Sequence, residues 1–203
     1  DWIARRIDDS PTGAVALSEL LADAPQLGVS ETSVRAYASS IDFRMDNGMV
    51  RRAVGDEEVI EDGPEDSKNM YLRGGTWRLL IAVTADHLRG SGFQVPRGAV
   101  GLYHVPVGGE VEVPSRLGGQ FLRVNKLRQP STSTIRRFLQ ELGSKEGDRV
   151  WLTFGPELFD VSPAPDRDSH LRGLARLLNE MGLDTALASD ADAAMREVNL
   201  ALG

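Results

Sequence analysis

The side chains in this sequence that offer chemistry are arginines, hydroxyls and amides, and what they offer is hydrogen bonding and charge. In LGVSETSVRAY (27–37) three hydroxyls, Ser30, Thr32 and Ser33, fall within one helical turn, and Arg35 follows on the same stretch. Small donors and acceptors beside a guanidinium suit the edges of bases, because arginine presents two parallel donors and the hydroxyls adapt. Arg44, Arg51 and Arg52 surround an Asn-Gly pair. A third set runs through the middle of the chain: His87, Arg89, Ser91, Arg97, Arg116, Arg123, Lys126 and Arg128. Phosphates are the natural counterpart of such cations.

Other chemistries find little to use. The absence of cysteine removes disulfides, thiolate metal sites and cysteine nucleophiles, and permits a reducing, cytoplasmic setting. His87, His104 and His170 lie far apart without ligand spacing, so no metal or other cofactor is expected. No glycine-rich phosphate loop follows a strand. We therefore expect a non-catalytic chain. A nuclease or hydrolase would have to rest on dispersed acids such as Asp86, Glu110 and Asp148. No apolar run approaches the roughly 18 residues of a spanning helix, and no signal peptide is visible, so no membrane partner is expected. The first residue is Asp rather than Met, from which we expect a fragment of a longer protein or a renumbered one.

The formal charge of −7 over 203 residues seems to argue against a polyanionic partner, but the charge is unevenly placed. Residues 1–53 hold six basic and eight acidic side chains. Residues 54–67 hold seven acids and no base. Residues 68–150 hold thirteen bases against six acids, and residues 151–203 hold four against nine. The middle is basic, as expected of a surface that meets phosphates.

These residues need elements to hold them. WIARRIDDS (2–10) predicts a short amphipathic helix ended by Pro11 and Gly13, and VALSELLADA (15–24) a second. After Pro25 and Gly28, Ser30 is a good N-cap for a third helix over 30–41, packed through Val34, Tyr37 or Ala38, and Ile41. Asn47-Gly48 within FRMDNGMVRRA predicts a two-residue hairpin. The acidic segment that follows has very few apolar residues, so it reads as a flexible tether in which Val59-Ile60 could form a short strand. Its charge also makes it a competitor of DNA for the basic middle.

From Gly75 the chain predicts short strands: TWRLLIAVT (76–84), GFQVPRGAV (92–100), GGEVEVP (108–114), GGQFLRVN (118–125) and GDRVWLTFG (147–155). A helical turn at ADHLRG and a capped helix at STSTIRRFLQELG (131–143) interrupt them. Residues 156–168 read as a loop. DSHLRGLARLLNEMGL and DADAAMREVNLAL predict a helical hairpin, docked on the β domain or pairing with another copy or a larger chain.

Two resemblances follow from these motifs. Residues 2–53, through LGVSETSVRAY and the Asn-Gly hairpin, resemble a winged helix-turn-helix. Residues 75–156 are similar, in the order IAVTADHLRGSGFQVPRGAV, GGEVEV, GGQFLRV, IRRFLQELG and GDRVWLTF, to the DNA-binding pseudobarrel of plant transcription factors and restriction-enzyme effector domains. The expected fold is thus α+β: winged helix (1–53), acidic linker (54–74), a small, mostly antiparallel β-barrel (75–156) and a C-terminal helical hairpin (157–203).

The resemblances imply double-stranded DNA as partner, for a transcription regulator or the recognition part of a restriction or defence protein. In the first module Ser30, Thr32, Ser33 and Arg35 would face the major groove, with Arg44, Arg51 and Arg52 on phosphates. In the second, one arm would carry His87, Arg89 and Ser91 and another Arg116, with Arg97, Arg123, Lys126 and Arg128 on nearby phosphates. The alternative is a protein-interaction adaptor that uses the same folds as docking surfaces.

Overall fold

The computed structural model describes residues 2–53, 58–156 and 158–203. It divides into two compact units: Asp1–Val59 with Pro106–Gly109 and Val124–Gln129, and Ile60–Val105 with Glu110–Arg123 and Pro130–Gly203.

In the first unit, Trp2–Asp8 (α1) buries Ile3, Ala4 and Ile7 at helical spacing. Ala14–Ala16 forms a strand (β1), where the apolar spacing predicts the start of a helix. Its backbone pairs with Met49–Arg51, and that ladder outweighs the helical preference of the two alanines. Leu17–Asp23 (α2) follows, then a 3₁₀ turn at Ala24–Leu27 closed by Gly28 at φ 66°. Glu31–Ala38 (α3) is shorter than the predicted 30–41 and turns Val34 and Ala38 inward. Phe43–Asp46 (β2) and Met49–Arg52 (β3) form the predicted hairpin, with Asn47 at φ 49° and Gly48 at φ 77°. The sheet order is β1-β3-β2, antiparallel throughout. Ile7, Val15, Leu20, Val34, Phe43 and Val50 make its core, each worth roughly 1.5–3 kcal/mol on full burial.

Residues 54–57 of the predicted tether lie outside the described residues. Beyond them the segment is not a free linker. Val59 bridges Pro106, Ile60 is fully buried, and Pro64–Asp66 makes a 3₁₀ turn with Pro64 buried. Met70–Arg73 is strand β4. The segment's few apolar side chains each find a buried place, which anchors the acids between them.

In the second unit Thr76–Ala82 (β5), Ala85–Arg89 (α4) and Phe93–Gln94 (β6) follow the predicted order, but Arg97–Gly101 is a helix (α5) rather than the end of a strand. Gly98 and Gly101 explain it: a Cβ on either would run into the backbone of residues 62–64, which lies against this helix. Glu110–Val113 (β7) and Gln120–Val124 (β8) pair as predicted. Pro130–Thr132 is a strand (β9) ahead of helix Arg136–Leu142 (α6), so the hydroxyl run begins a ladder and not a helix. Arg149–Phe154 (β10) pairs with Phe159–Pro163 (β11), a strand hidden in a Pro-rich stretch that reads as loop.

The sheets do not close into a barrel. One four-stranded sheet runs β11-β10-β5-β4, the other β6-β9-β8-β7. Their strands are linked by an isolated parallel bridge, Ser115 to Phe159, with the Phe159 N–H donating to Pro114 O at 2.8 Å. β7 stops at Pro114, which has no N–H to extend a ladder. Phe138 of α6 meets Phe159 edge-on at 5.7 Å, and Phe159 meets Phe154 at 5.6 Å, in the core under the first sheet.

Gly173–Glu180 (α7) and Ala191–Leu202 (α8) form the C-terminal helical pair around a 3₁₀ turn at Thr185–Ser189. Asp190 caps α8 by accepting from the Ala193 N–H at 3.0 Å. Leu178, Met181, Leu183, Ala194, Val198 and Ala201 cluster there with Tyr71 of β4 packed against them. Tyr71 meets Trp151 of β10 edge-on at 6.0 Å. β10 is therefore buried on both faces, which is why RVWLTF reads as a continuous apolar run. No helix among the described residues is long and apolar enough to cross a membrane.

Candidate nucleic-acid interface

Helix α3 starts as its sequence requires. Ser30 Oγ accepts from the Ser33 N–H at 3.1 Å, and the two hydroxyls lie 2.8 Å apart. Two of the predicted base readers are thus engaged in starting the helix. Thr32, Arg35, Ala36 and Ser39 are exposed on it. Arg35 reaches back one turn to Glu31 at 3.9 Å, a long and exposed ion pair. Tyr37, expected among the packing residues, is 55% exposed and adds an aromatic ring to the solvent side. Its spacing matched Ala38 equally well, and the smaller residue took the buried place.

On the hairpin, Arg44 stands directly opposite Arg51, on the face turned away from Phe43 and Val50. Arg51 reaches Asp46 at 3.6 Å, while Arg44 has no ion pair among the described residues. Arg52 belongs to the other face. It grips Asp8 of α1 through Nε at 3.0 Å and a terminal nitrogen at 2.6 Å, and lies 5.9 Å from the Phe43 ring. The guanidinium holds the Asp8 carboxyl below its ordinary range. Arg52 is a tie between α1 and β3, where the sequence places it on phosphate.

In the second unit His87 faces inward. Its Nδ1 accepts from the Thr84 N–H at 3.1 Å, the Thr84 hydroxyl accepts from the His87 N–H at 3.4 Å, and its ring lies 4.4 Å from that of Phe93. Burial holds its pKa below the ordinary value. The predicted reader is half of a capping box. Arg89 and Ser91 are exposed, and Arg89 pairs with Asp86 three residues earlier. Near them, Gly90, Gly92, Gln94 and Ser131 line an open groove of about 540 Å³, with Arg123 also in its wall.

The remaining predicted phosphate contacts all have acid partners. Arg97 makes a two-pronged pair with Asp62, at 2.8 Å on each prong. Arg116 sits between Glu141 and Asp160, 2.8 Å from the latter, with its guanidinium 5.5 Å from the Phe138 ring. Arg123 meets Glu110 at 2.6 Å and lies over Phe121. In the first unit Lys126 meets Asp42 at 2.9 Å, and Arg128 meets Glu58 at 2.7 and 2.8 Å while donating to Ser39 O. The uncompensated basic surface expected of the middle segment is therefore not what folds. Its acids arrive from 13 to 84 residues away in sequence, beyond the reach of a local charge count.

Such exposed pairs are each worth about 0–1 kcal/mol. A phosphate offers arginine the same forked acceptor geometry as a carboxylate, so exchange is inexpensive. Two arginines that were not singled out are structural. Arg149 is buried and donates to Pro165 O, Asn179 O and Glu180 O, closing the end of α7, and burial lowers its pKa. Arg137 donates to the carbonyls of Gly118 and Gly119 and to Gln120 Oε1.

The acids on which hydrolysis would rest are also engaged. Asp86 pairs with Arg89, Glu110 with Arg123, and Asp148 accepts from the Lys145 N–H at 2.7 Å. No group of three or more His, Asp or Glu among the described residues is placed to hold a metal ion. The chain matches no protein-family model, and neither curated proteins nor solved structures provide a significant match.

Proposed function

We propose that this chain is a non-catalytic double-stranded DNA-binding protein whose N-terminal unit is the reader. The observation that carries the reading is α3. It is a Ser30-capped helix with Thr32, Arg35 and Ser39 exposed along it, in a unit whose hairpin holds Arg44 and Arg51 side by side on its outer face. The order α1-β1-α2-α3-β2-β3, with sheet order β1-β3-β2, supports a winged helix-turn-helix with α3 as the helix that enters the major groove. Thr32 and Arg35 are then base readers, and Arg44 and Arg51 phosphate contacts.

The second unit, with its two linked antiparallel sheets, supports an open pseudobarrel that adds backbone contacts through Arg89 and Ser91. A transcription regulator and the recognition part of a restriction-type defence protein both fit this reading.

The test is a salt titration of duplex binding by the full chain and by Arg35→Ala. Affinity should fall steeply with salt, and the loss of a base-reading arginine should weaken binding to the preferred site by about 1–3 kcal/mol. A second reading, a protein-docking adaptor, is favoured by the acid partners of the central cations. Failure to bind any duplex at low salt would establish it over the first.

A further inference from the structure

We infer that the acidic segment from Glu58 to Asp62 is a built-in competitor of the nucleic-acid backbone, and that it holds Arg128 and Arg97 in the grip a phosphate would otherwise take. The inference rests on the DNA-binding reading and deepens it by adding regulation.

The geometry is specific. Glu58 accepts from Nε and a terminal nitrogen of Arg128 at 2.7 and 2.8 Å; four residues on, Asp62 accepts from the same two positions of Arg97 at 2.8 Å each. Both are two-pronged arrangements, the form in which arginine also clamps phosphate. The spacing of the carboxylates is fixed by apolar anchors: Val59 bridges Pro106 within the first unit, and Ile60, fully buried, donates its N–H to Val105 O within the second. Gly98 and Gly101 leave room for the backbone of residues 62–64 to lie against α5, directly beside Arg97. A loose acidic tether would need neither the anchors nor the glycines.

Both pairs are partly solvent-exposed, so salt weakens them and a dense polyanion can replace them. The side chains of Arg97 and Arg128 can swing from carboxylate to phosphate while the anchored backbone stays in place. The segment then sets a threshold: a sparse anion does not displace it, whereas the closely spaced phosphates of a duplex do.

The experiment uses the full chain and a short mixed-sequence duplex, and compares wild type with Glu58→Gln/Asp62→Asn and with Glu61→Gln/Glu65→Gln. The control pair removes the same charge from exposed acids of the same segment that have no ion pair among the described residues. Freeing two arginines should raise affinity roughly tenfold at moderate salt and steepen the dependence of log K on log salt by about 2, at close to 0.9 per phosphate engaged. The control should move affinity much less and leave the slope unchanged. Equal gains in both variants would reduce the effect to net charge and overturn the inference, as would unchanged binding in the first. If no variant binds duplex at any salt, the DNA-binding reading itself falls and takes the inference with it. Binding that appears only in Glu58→Gln/Asp62→Asn supports both.

Discussion

Arg44 and Arg51 face each other directly across the hairpin, two like charges on the outer side of a three-stranded sheet. Such a pair is unfavourable by a few tenths to about 1 kcal/mol relative to a neutral one. Asp46 relieves Arg51 at 3.6 Å, and no carboxylate among the described residues relieves Arg44. Replacing Arg44→Glu should therefore act in opposite directions on two readouts. Denaturant unfolding should show a hairpin stabilised by up to roughly 1 kcal/mol. Duplex binding should weaken, with a salt slope shallower by about 1. A variant that gains stability and loses no affinity would remove the hairpin from the interface.

Ser30 and Thr32 lie two residues apart and should separate cleanly. Ser30 accepts the Ser33 N–H, so Ser30→Ala should cost about 1 kcal/mol of stability. Thr32 is exposed, and Thr32→Ala should leave the unfolding midpoint unchanged while altering the preference among duplex sequences. A binding-site selection on both variants checks the contrast; identical selected sites for wild type and Thr32→Ala would contradict it.

His87 gives the fold a pH dependence of known sign. Burial depresses its pKa in the folded state, so the unfolded chain takes up the proton first. Stability is complete above the ordinary histidine value of about 6.5. It declines as pH falls from there to the lower folded value, because protonation removes the Nδ1 lone pair that accepts the Thr84 N–H. His87→Gln keeps an acceptor at the same place in the capping box and does not titrate. Thermal unfolding between about pH 8 and 5.5 should fall less for the variant than for wild type; parallel curves would assign the pH dependence elsewhere.

Arg116 should behave as a structural residue. Its guanidinium joins Glu141 of α6 to Asp160 of β11, and both pairs raise its pKa. Arg116→Met should lower the melting temperature by leaving two neighbouring carboxylates without their shared counter-ion. Its effect on duplex affinity, once compared below the melting transition, should be small. A large loss of affinity with unchanged melting would return Arg116 to the DNA contacts its position in the sequence indicates.

How much of this was legible in the sequence depended on how local each cause was. Asn47-Gly48 announced the hairpin because positive φ at both residues is a property of those two side chains. Ser30 announced α3 for the same reason. Ala14–Ala16 and Phe159–Pro163 did not read as strands, since nothing in AVA or FDVSP requires one; each is made a strand by a partner far along the chain. The candidate site divides the same way. Exposure of Thr32 and Arg35 followed from helical spacing. The inward turn of His87 and the partners of Arg97, Arg116 and Lys126 depended on which distant acid or hydroxyl the fold brings near.

The first unit is assembled from three stretches of chain: its own opening residues, Pro106–Gly109 and Val124–Gln129. Lys126 and Arg128, which secure Asp42, Ser39 and Glu58 within it, come from the last of these. Recombination that moves only the opening residues to another gene would strip the reader of those buttresses. Shuffling of this module as a cassette is therefore disfavoured, and reader and β domain should be inherited together.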